Sequence, residues 1–364
     1  MKQTCLSLFV FLFFSINSFS QQLAAFNDNL NKFWVFDGGS FQRLEYLEIQ
    51  DYQVGGYLVA YIDNGSNLKV YRNGEVKNLL TGSPIKYTAT DYLLGYSLYE
   101  QLNVYDNEKK IVLSTECDGY EIRDSLIGWH NRIKQTLQVY YNGHIYTIED
   151  GLIYNPLDSY KMGDNTIVYV HASTQQLKLF YQGEIIILDD YAENVIYEAG
   201  RDIVAFIDRS DLSFKVFFKG ETMELETFEP RSFKVGDEML AWVDNLGHLK
   251  IFQNGEVKTV SNYEPEFYDL VDNVLIFEEQ GFFKTVCNNE IYIVERYIPQ
   301  PYRVDWNTIA YLDENRFVKV FQNCESKVVS YERVNELTLI RDLVIFSEGI
   351  NKIKIYFLGQ IFEH

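Results

Sequence analysis

The stretch AWVDNLGHLKIFQNGEVKTV, residues 241–260, has a close relative in AYIDNGSNLKVYRNGEVKNL, residues 60–79. Each contains two apolar segments joined by a polar turn, then Asn-Gly, then a third segment. Asn-Gly between apolar segments is the strongest short-range signal for a β-hairpin, because both central residues of that turn need a positive φ. The chain of 364 residues therefore repeats a unit that is built from hairpins.

Diverged copies of this unit fill the chain at intervals of about 35 residues. In residues 232–260 the unit contains four predicted strands, and the first turns into the second at Gly236-Asp237. The first strand has only nine copies, because the first unit starts directly at its second strand. The position of the third turn gives ten copies: Gly39, Gly74, Asn107, Gly143, Gly183, Gly220, Gly255, Asn289, Cys324 and Gly359.

The second strands indicate how these units pack. Their apolar segments are nearly continuous, as in residues 202–207 (DIVAFI), which predicts sheets that are buried on both faces. Four-stranded antiparallel sheets stacked in this way predict an all-β propeller of ten blades. One position of the second strand is aromatic in all ten units: Phe26, Tyr61, Tyr96, Trp129, Tyr169, Phe206, Trp242, Phe277, Tyr311 and Phe346.

The spacing of the units favours one large ring, because no linker interrupts it. Two smaller tandem rings are the alternative, and residues 149–161 (EDGLIYNPLDSYK), in the longest interval, would then mark the break.

On these features the chain resembles the WD40-like repeats of the TolB type. Their units also run strand, Gly-Asp or Asp-Gly turn, Ile-Ala-Phe-like strand, hairpin and outer strand. The resemblance covers residues 21–364, although the chain lacks a Trp-Ser-Pro-Asp-Gly signature. It implies a fold rather than an activity, because that superfamily holds binding proteins and enzyme appendages alike.

Residues 1–20 (MKQTCLSLFVFLFFSINSFS) have the three parts of a secretory signal peptide: a lysine, an apolar stretch and small residues before the cleavage site. We predict cleavage near Ser20, a repeat domain over residues 21–364, and a periplasmic or secreted protein of a Gram-negative envelope. Cys5 precedes the apolar stretch, so we do not expect a lipid anchor. No later stretch is apolar for long enough to predict a membrane-spanning helix.

The net charge of −20 argues against nucleic acid and anionic lipid as partners, since both need a basic surface. Three cysteines follow the leader: Cys117, Cys287 and Cys324. Their spacing fits neither a zinc site nor a disulfide scaffold, so we interpret them as packed or incidental residues. The sequence leaves undecided whether Cys287 and Cys324 form a disulfide.

The chain contains no recognisable catalytic motif or cofactor-binding motif, and we predict a protein that is not an enzyme and holds no cofactor or metal. His130, His171 and His248 fall at or near predicted turns and are interpreted as solvated residues. Acids such as Asp63 and Asp244 end several second strands, where Asp commonly initiates a turn by accepting backbone hydrogen bonds. A lysine in seven third strands is interpreted as solvated, and as balancing the charge of nearby carboxylates.

The loops between units contain the candidate binding residues. Tyr191, Phe228, Tyr263 and Tyr297 each lie eight residues after the third turn, among acidic residues. A propeller would bring them to one rim, where aromatic side chains suit contact with a protein or a glycan. The alternative is that they fold inward and cap the blade core.

Two functions follow as hypotheses. The first is an exported, non-enzymatic scaffold that binds a protein, for example as an accessory subunit of an outer-membrane secretion machine or a Tol-like machine. The second is a glycan-binding or carbohydrate-active propeller, which predicts a deep pocket with paired carboxylates. A broad, shallow aromatic surface is typical of the first.

Overall fold

The computed structural model describes residues 22–151, 160–349 and 352–364. The predicted signal peptide, residues 1–20, lies outside them. The described residues form 39 strands and no helix, so no helix among them has the length and apolarity to span a bilayer.

The strands form ten antiparallel sheets in chain order, which we call blades 1 to 10. Blade 1 contains β1 (Leu23–Asn27), β2 (Phe33–Asp37) and β3 (Ser40–Glu45). Blades 2 to 5 contain β4 (Asp51–Val54), β5 (Val59–Ile62), β6 (Asn67–Arg72) and β7 (Glu75–Thr81); β8 (Ile85–Ala89), β9 (Leu94–Leu98), β10 (Gln101–Asp106) and β11 (Lys109–Ser114); β12 (Cys117–Ile122), β13 (Leu126–Asn131), β14 (Thr136–Tyr141) and β15 (His144–Glu149); β16 (Tyr160–Met162), β17 (Thr166–Val170), β18 (Leu177–Tyr181) and β19 (Glu184–Asp189).

The other half of the molecule repeats this plan without change. Blades 6 to 10 contain β20 (Tyr197–Gly200), β21 (Ile203–Ile207), β22 (Phe214–Phe218) and β23 (Glu221–Glu226); β24 (Ser232–Val235), β25 (Met239–Val243), β26 (Leu249–Gln253) and β27 (Glu256–Ser261); β28 (Tyr268–Val271), β29 (Val274–Glu279), β30 (Phe282–Cys287) and β31 (Glu290–Glu295); β32 (Tyr302–Asp305), β33 (Thr308–Leu312), β34 (Val318–Gln322) and β35 (Glu325–Ser330); β36 (Leu337–Ile340), β37 (Leu343–Glu348), β38 (Lys352–Phe357) and β39 (Gln360–Glu363).

Each blade packs against the next through its own apolar cluster, and the last blade packs against the first. Leu343 and Ile355 of blade 10 share a cluster with Ala24 and Phe36 of blade 1. Leu126 of blade 4 shares another with Tyr169 of blade 5, so the chain does not break at its longest interval. One closed ring of ten blades is therefore confirmed, and the WD40-like or TolB-type resemblance holds at the level of fold.

Within a blade the second and third strands lie deepest. All five residues of β21 and all five of β25 are buried, as the nearly continuous apolar segments predict. The fourth strands form the outer wall, where exposed and less exposed residues alternate. The first strands lie innermost, since β20 contacts both β16 and β24 of its neighbours and so lines the central channel.

Glycine lets the turns between first and second strands approach one another closely. A Cβ on Gly200 would lie 1.8 Å from the carbonyl oxygen of Gly236, and one on Gly236 would lie 1.9 Å from that of Asp272. Successive turns therefore stack backbone on backbone around one end of the channel.

Two interpretations of the sequence are wrong. Cys287 and Cys324 are not incidental: they form a disulfide, with their Cα atoms 5.5 Å apart, that joins blade 8 to blade 9. Cys117 is a free, buried thiol. His130 is not solvated, because it lies within β13 and is only 4% exposed.

Candidate functional site: two ends of a propeller

Antiparallel strands place alternate connections on opposite ends of the ring. The turns between second and third strands and the connections between blades share one end, which we call the loop face. The turns between first and second strands lie at the other end, around the channel, which we call the channel mouth.

The structure places the four predicted aromatic residues on the loop face. Tyr191, Phe228 and Tyr263 are 56%, 65% and 66% exposed, so inward capping is wrong for these three. Tyr297 is half-buried, and its hydroxyl accepts a hydrogen bond of 2.8 Å from the Glu314 amide in the adjacent turn. Three of the four are therefore available for contact, and a binding role for the set stays a prediction.

The loop face carries further exposed apolar side chains that sequence reasoning missed. Of the large exposed apolar residues in the described chain, twelve lie on the loop face, two at the opposite end and ten on outer strands. This distribution makes the loop face the apolar end of the molecule. Besides the three aromatic residues above, its members are Leu30, Tyr46, Leu47, Tyr99, Ile133, Ile196, Leu212, Leu246 and Tyr331.

An aspartate at the end of the second strand fixes the turns that carry several of these tips. Asp244 Oδ1 accepts hydrogen bonds from the amides of Leu246 (2.9 Å) and His248 (2.8 Å). Asp63 and Asp313 accept equivalent pairs. The interpretation of these acids as turn initiators is confirmed, and it leaves Leu246 exposed at the tip of a rigid turn.

The lysine of the third strand joins each such turn to the preceding blade. Lys250 Nζ lies 2.7 Å from Glu226 at the end of β23 and 3.0 Å from Asp244. Its side chain is only 19% exposed, so the solvated interpretation is wrong and the balancing of carboxylates is right. Burial alone would raise the pKa of Asp244, but hydrogen bonds from the His248 amide and from Lys250 lower it to about 2.

The channel mouth is a second site, and sequence reasoning did not find it. One position of the turn between first and second strands is Asp in five blades and Arg in two. The Gly-Asp turn of blade 7 was visible in the sequence, and aligning this turn across all units would have revealed the set. Its members from blade 2 onward are Gly56, Asp91, Asp124, Asp164, Arg201, Asp237, Asp272, Trp306 and Arg341.

Arg201 draws three of these carboxylates together. Its Nη2 lies 3.1 Å from Asp124 Oδ2 and 3.3 Å from Asp237 Oδ2, and it also donates to Asp164. Burial, then the Asp164 charge, raises the pKa of both Asp124 and Asp237 to about 7, even though Arg201 opposes the shift. The single positive charge of Arg201 therefore does not offset burial and the neighbouring carboxylates at Asp124 and Asp237.

The same carboxylates tie consecutive turns to one another. The amide of Asp91 donates to Asp124 Oδ1 at 2.9 Å, and the amide of Trp306 donates to Asp272 Oδ2 at 2.7 Å. A structural role in joining the blades thus accounts for part of this acidic set.

The other side of the channel mouth is aromatic. The Arg341 guanidinium lies 4.0 Å from the centre of the Trp306 ring and 5.2 Å from that of Tyr57, and Tyr57 stacks on Tyr92 at 5.0 Å. Arg341 is 7% exposed, and its Nε and Nη1 find no hydrogen-bond partner among the described residues, although Nη1 lies 3.2 Å from Asp91. Acids, arginines and aromatic rings together line a cavity of about 280 Å³.

Within the described ranges, no group of three His, Cys, Asp or Glu side chains has the geometry to hold a metal ion. Half-buried Arg201 already occupies the acidic wall and buried Arg341 the aromatic wall, so the cavity would favour a polar or cationic group that can displace or join them.

The family model described as "10-bladed beta propeller domain" matches residues 17–362. Among solved structures, the computationally designed Ika8 protein aligns at 13% identity over 93% of this chain and 100% of its own, with a TM-score of 0.35. The tricorn protease aligns at 10% identity over 92% of this chain and 46% of its own (TM-score 0.32), and Prp20p from Saccharomyces cerevisiae at 10% over 62% and 81% (TM-score 0.33). No curated protein matches the sequence.

Proposed function

Because this chain belongs to the 10-bladed beta propeller domain family, we propose that it is an exported, non-enzymatic scaffold that binds another protein through its loop face. The observation that carries the proposal is the uneven placement of exposed apolar residues, twelve on the loop face against two at the opposite end. The propeller fold is compatible with such a role.

The exposed aromatic side chains of the loop face can contact a partner at a low cost in conformational entropy. Tyr and Phe bury a large area while fixing few torsions, and such residues dominate the energy of protein interfaces. The connections that carry two of them are held by local hydrogen bonds: the Tyr191 amide donates to Asp189 Oδ1 and the Tyr263 amide donates to Ser261 Oγ, both at 3.0 Å. A partner would therefore meet a preformed surface and would not have to order it.

Two observations support export to the cell envelope. The leader at residues 1–20 has the pattern of a cleaved signal peptide. The Cys287–Cys324 disulfide is of a kind that persists in oxidising compartments such as the periplasm. We propose a periplasmic or secreted protein that serves as an accessory subunit of an envelope complex, such as an outer-membrane secretion machine or a Tol-like machine.

The test is affinity purification of the tagged protein from its native envelope, followed by identification of the chains that co-purify. A triple variant, Tyr191→Ser with Phe228→Ser and Tyr263→Ser, is expected to lower recovery of the partner at least about tenfold, because it removes several anchors together. The matched control replaces Ile187, Val257 and Ile293 by Ser; these residues are similarly exposed but lie on outer strands. Equal recovery with both variants would contradict the proposal.

The channel mouth favours a second candidate, a glycan-binding or carbohydrate-active propeller. It supplies the paired carboxylates and the aromatic rings that this alternative requires. A panel of envelope oligosaccharides, tested by calorimetry, decides between the two. Oligosaccharide binding that is lost in the double variant Asp124→Asn with Asp237→Asn would favour the glycan-binding alternative over the scaffold, provided that the triple loop-face variant still binds.

A further inference from the structure

Blade 1 differs from the other nine in the part of the chain that the structure describes. Blades 2 to 10 each have four strands, whereas blade 1 has β1, β2 and β3 alone. Comparison with its neighbours shows that the strand not found in the described part of blade 1 is the innermost one. In every other blade the second strand is paired on both edges, while β1, the second strand of blade 1, pairs with β2 on one edge only among residues 22–151, 160–349 and 352–364.

A groove lies where this first strand would run. It has a volume of about 480 Å³ and lies between β4 of blade 2 and β36 of blade 10, with β1 at its floor. Its walls are mainly apolar, and include Ala25, Tyr52, Val54, Ile340 and Ile345. An unpaired strand edge between apolar walls is the usual receptor for an extended peptide that adds a strand to a sheet.

The nine existing first strands show what such a strand needs. In each, one residue lies directly across from the aromatic position of the second strand, nine residues further along the chain. That residue is aromatic in eight blades and leucine in the ninth, and the residue two positions later is aliphatic or Met. The pairs are Tyr52–Tyr61, Tyr87–Tyr96, Tyr120–Trp129, Tyr160–Tyr169, Tyr197–Phe206, Phe233–Trp242, Tyr268–Phe277, Tyr302–Tyr311 and Leu337–Phe346.

In blade 1 the aromatic position of the second strand is Phe26, and it lines the groove. The spacing of nine residues assigns Asn17 as its counterpart in the chain's own sequence. Asparagine breaks the pattern of all nine other blades, and it has low strand propensity. Asn17 also lies before the predicted cleavage site near Ser20, so the exported chain would not keep it.

We propose that the first-strand position of blade 1, which no described residue fills, receives an extended strand from a partner protein, carrying an aromatic residue and an aliphatic residue two positions later. The strand pairs antiparallel with β1, its aromatic side chain packs across from Phe26, and its aliphatic side chain enters the apolar groove. The proposal deepens the scaffold function, and rests on it for the removal of residues 1–20.

The first experiment uses the chain of residues 21–364 and a labelled peptide with the sequence of residues 266–272 (EFYDLVD), the first strand of blade 8, as a stand-in for the partner strand. Fluorescence anisotropy is expected to show saturable binding. A control peptide with Tyr268→Asn and Leu270→Asn is expected to bind at least tenfold more weakly. Equal binding of the two peptides, or binding of neither, would overturn the proposal.

A covalent version of the experiment does not depend on peptide affinity. Placing residues 267–272 (FYDLVD) directly before Gln22 sets the tyrosine nine residues before Phe26. This graft is expected to raise Tm by several degrees and to abolish peptide binding, while a graft with the same two Asn changes does neither. Identical Tm values for the two grafts would overturn the proposal.

The state of the natural N-terminus separates this proposal from the scaffold function. Mass spectrometry of the protein purified from the envelope shows whether residues 1–20 have been removed. If they are retained and residues 15–19 are protected from hydrogen exchange, the chain fills its own groove and the partner strand is ruled out. That result would leave partner capture through the loop face standing on its own test.

Discussion

Two aspartates in this ring have pKa values that are shifted in opposite directions. Asp244 on the loop face accepts two amide hydrogen bonds and an ion pair with Lys250, and its pKa is lowered to about 2. Asp124 at the channel mouth is buried near Asp164 and Asp91, and its pKa is raised to about 7. The two residues are both aspartates in turns, so only the positions of their neighbours distinguish them.

The raised pKa of Asp124 predicts the pH dependence of stability. An aspartate titrates near 3.9 in the unfolded chain, so between about pH 4 and pH 7 the folded state binds more protons at this site. The site's contribution to stability is therefore present at low pH and is lost as pH rises through the folded pKa. Asp124→Asn is therefore expected to change the free energy of unfolding more favourably at pH 8 than at pH 5, by about 1–2 kcal/mol.

Urea unfolding of both proteins at the two pH values measures this difference. Asparagine can still accept the hydrogen bond from the Asp91 amide, but its amide nitrogen cannot accept the one from Arg201. That loss is the same at both pH values, so the pH-dependent part of the difference reports the charge. Glu256→Gln, an exposed change on β27, is the control and is expected to have no such pH-dependent effect. Destabilisation by Asp124→Asn of the same size at both pH values would contradict the electrostatic account.

The turns between first and second strands stack closely because the glycines in them have no Cβ atom. Gly200→Ala would place a Cβ 1.8 Å from a backbone oxygen of the next blade, which neither backbone can avoid without moving. We expect a loss of about 3 kcal/mol or more in unfolding free energy, as for severe overpacking. Gly220→Ala, where a Cβ meets open space at a φ of +105°, is expected to cost about 1 kcal/mol. Similar costs at both sites, measured by denaturant unfolding, would contradict this.

At the scale of strands and turns, the sequence predicts the features that recur in each repeat unit. It does not predict the contacts that form in only one place in the ring. A Gly or Asn at the third turn recurs in nine of the ten units, and the aromatic position of the second strand in all ten. Alignment of the chain on itself therefore gives the strands, their order and their buried faces. The Cys287–Cys324 bridge joins two different blades, and a sequence holds no direct record of which third-strand turns lie side by side. Exposure of Tyr191 and partial burial of Tyr297 differ for the same reason, because a neighbouring turn, at Glu314, contacts only the second.

The disulfide is expected to stabilise blades 8 and 9 as a pair. It closes a loop of 37 residues, for which chain entropy in the unfolded state predicts about 3–4 kcal/mol. Cys287→Ala with Cys324→Ala should lower the free energy of unfolding by that amount, measured in urea without reductant. In the native protein a reductant should reproduce the loss, and in the double variant it should have no effect. Stability that is unchanged in the double variant would show that packing alone holds these blades together.

At the scale of the whole molecule, closure of the ring depends on side chains. The final blade takes all of its strands from the end of the described chain, and blade 1 takes its strands from the beginning. They meet through the apolar cluster that includes Phe36 and Ile355, and through a hydrogen bond from Gln22 to Asp342. No strand pairing between them is found among the described residues.

This construction predicts where the ring opens first. Amides of β1, and of β37 in blade 10, should exchange hydrogen faster than those of the equivalent strands β21 and β25, because fewer strands protect the contact between first and last blades. Hydrogen exchange with mass spectrometry measures this directly. Protection that is uniform around the ring would contradict the expectation.

Blade 1, which has three strands in the described part of the chain, also gives the ring an orientation. Ten similar blades present nearly the same side chains at each step around the axis, so a partner that contacts only repeated features can dock in several rotational settings of similar energy. A single blade with its own distinct edge removes that degeneracy. An assembly built on this ring would then adopt one angular arrangement, with one copy of the partner at that edge, however many contacts the remaining blades contribute.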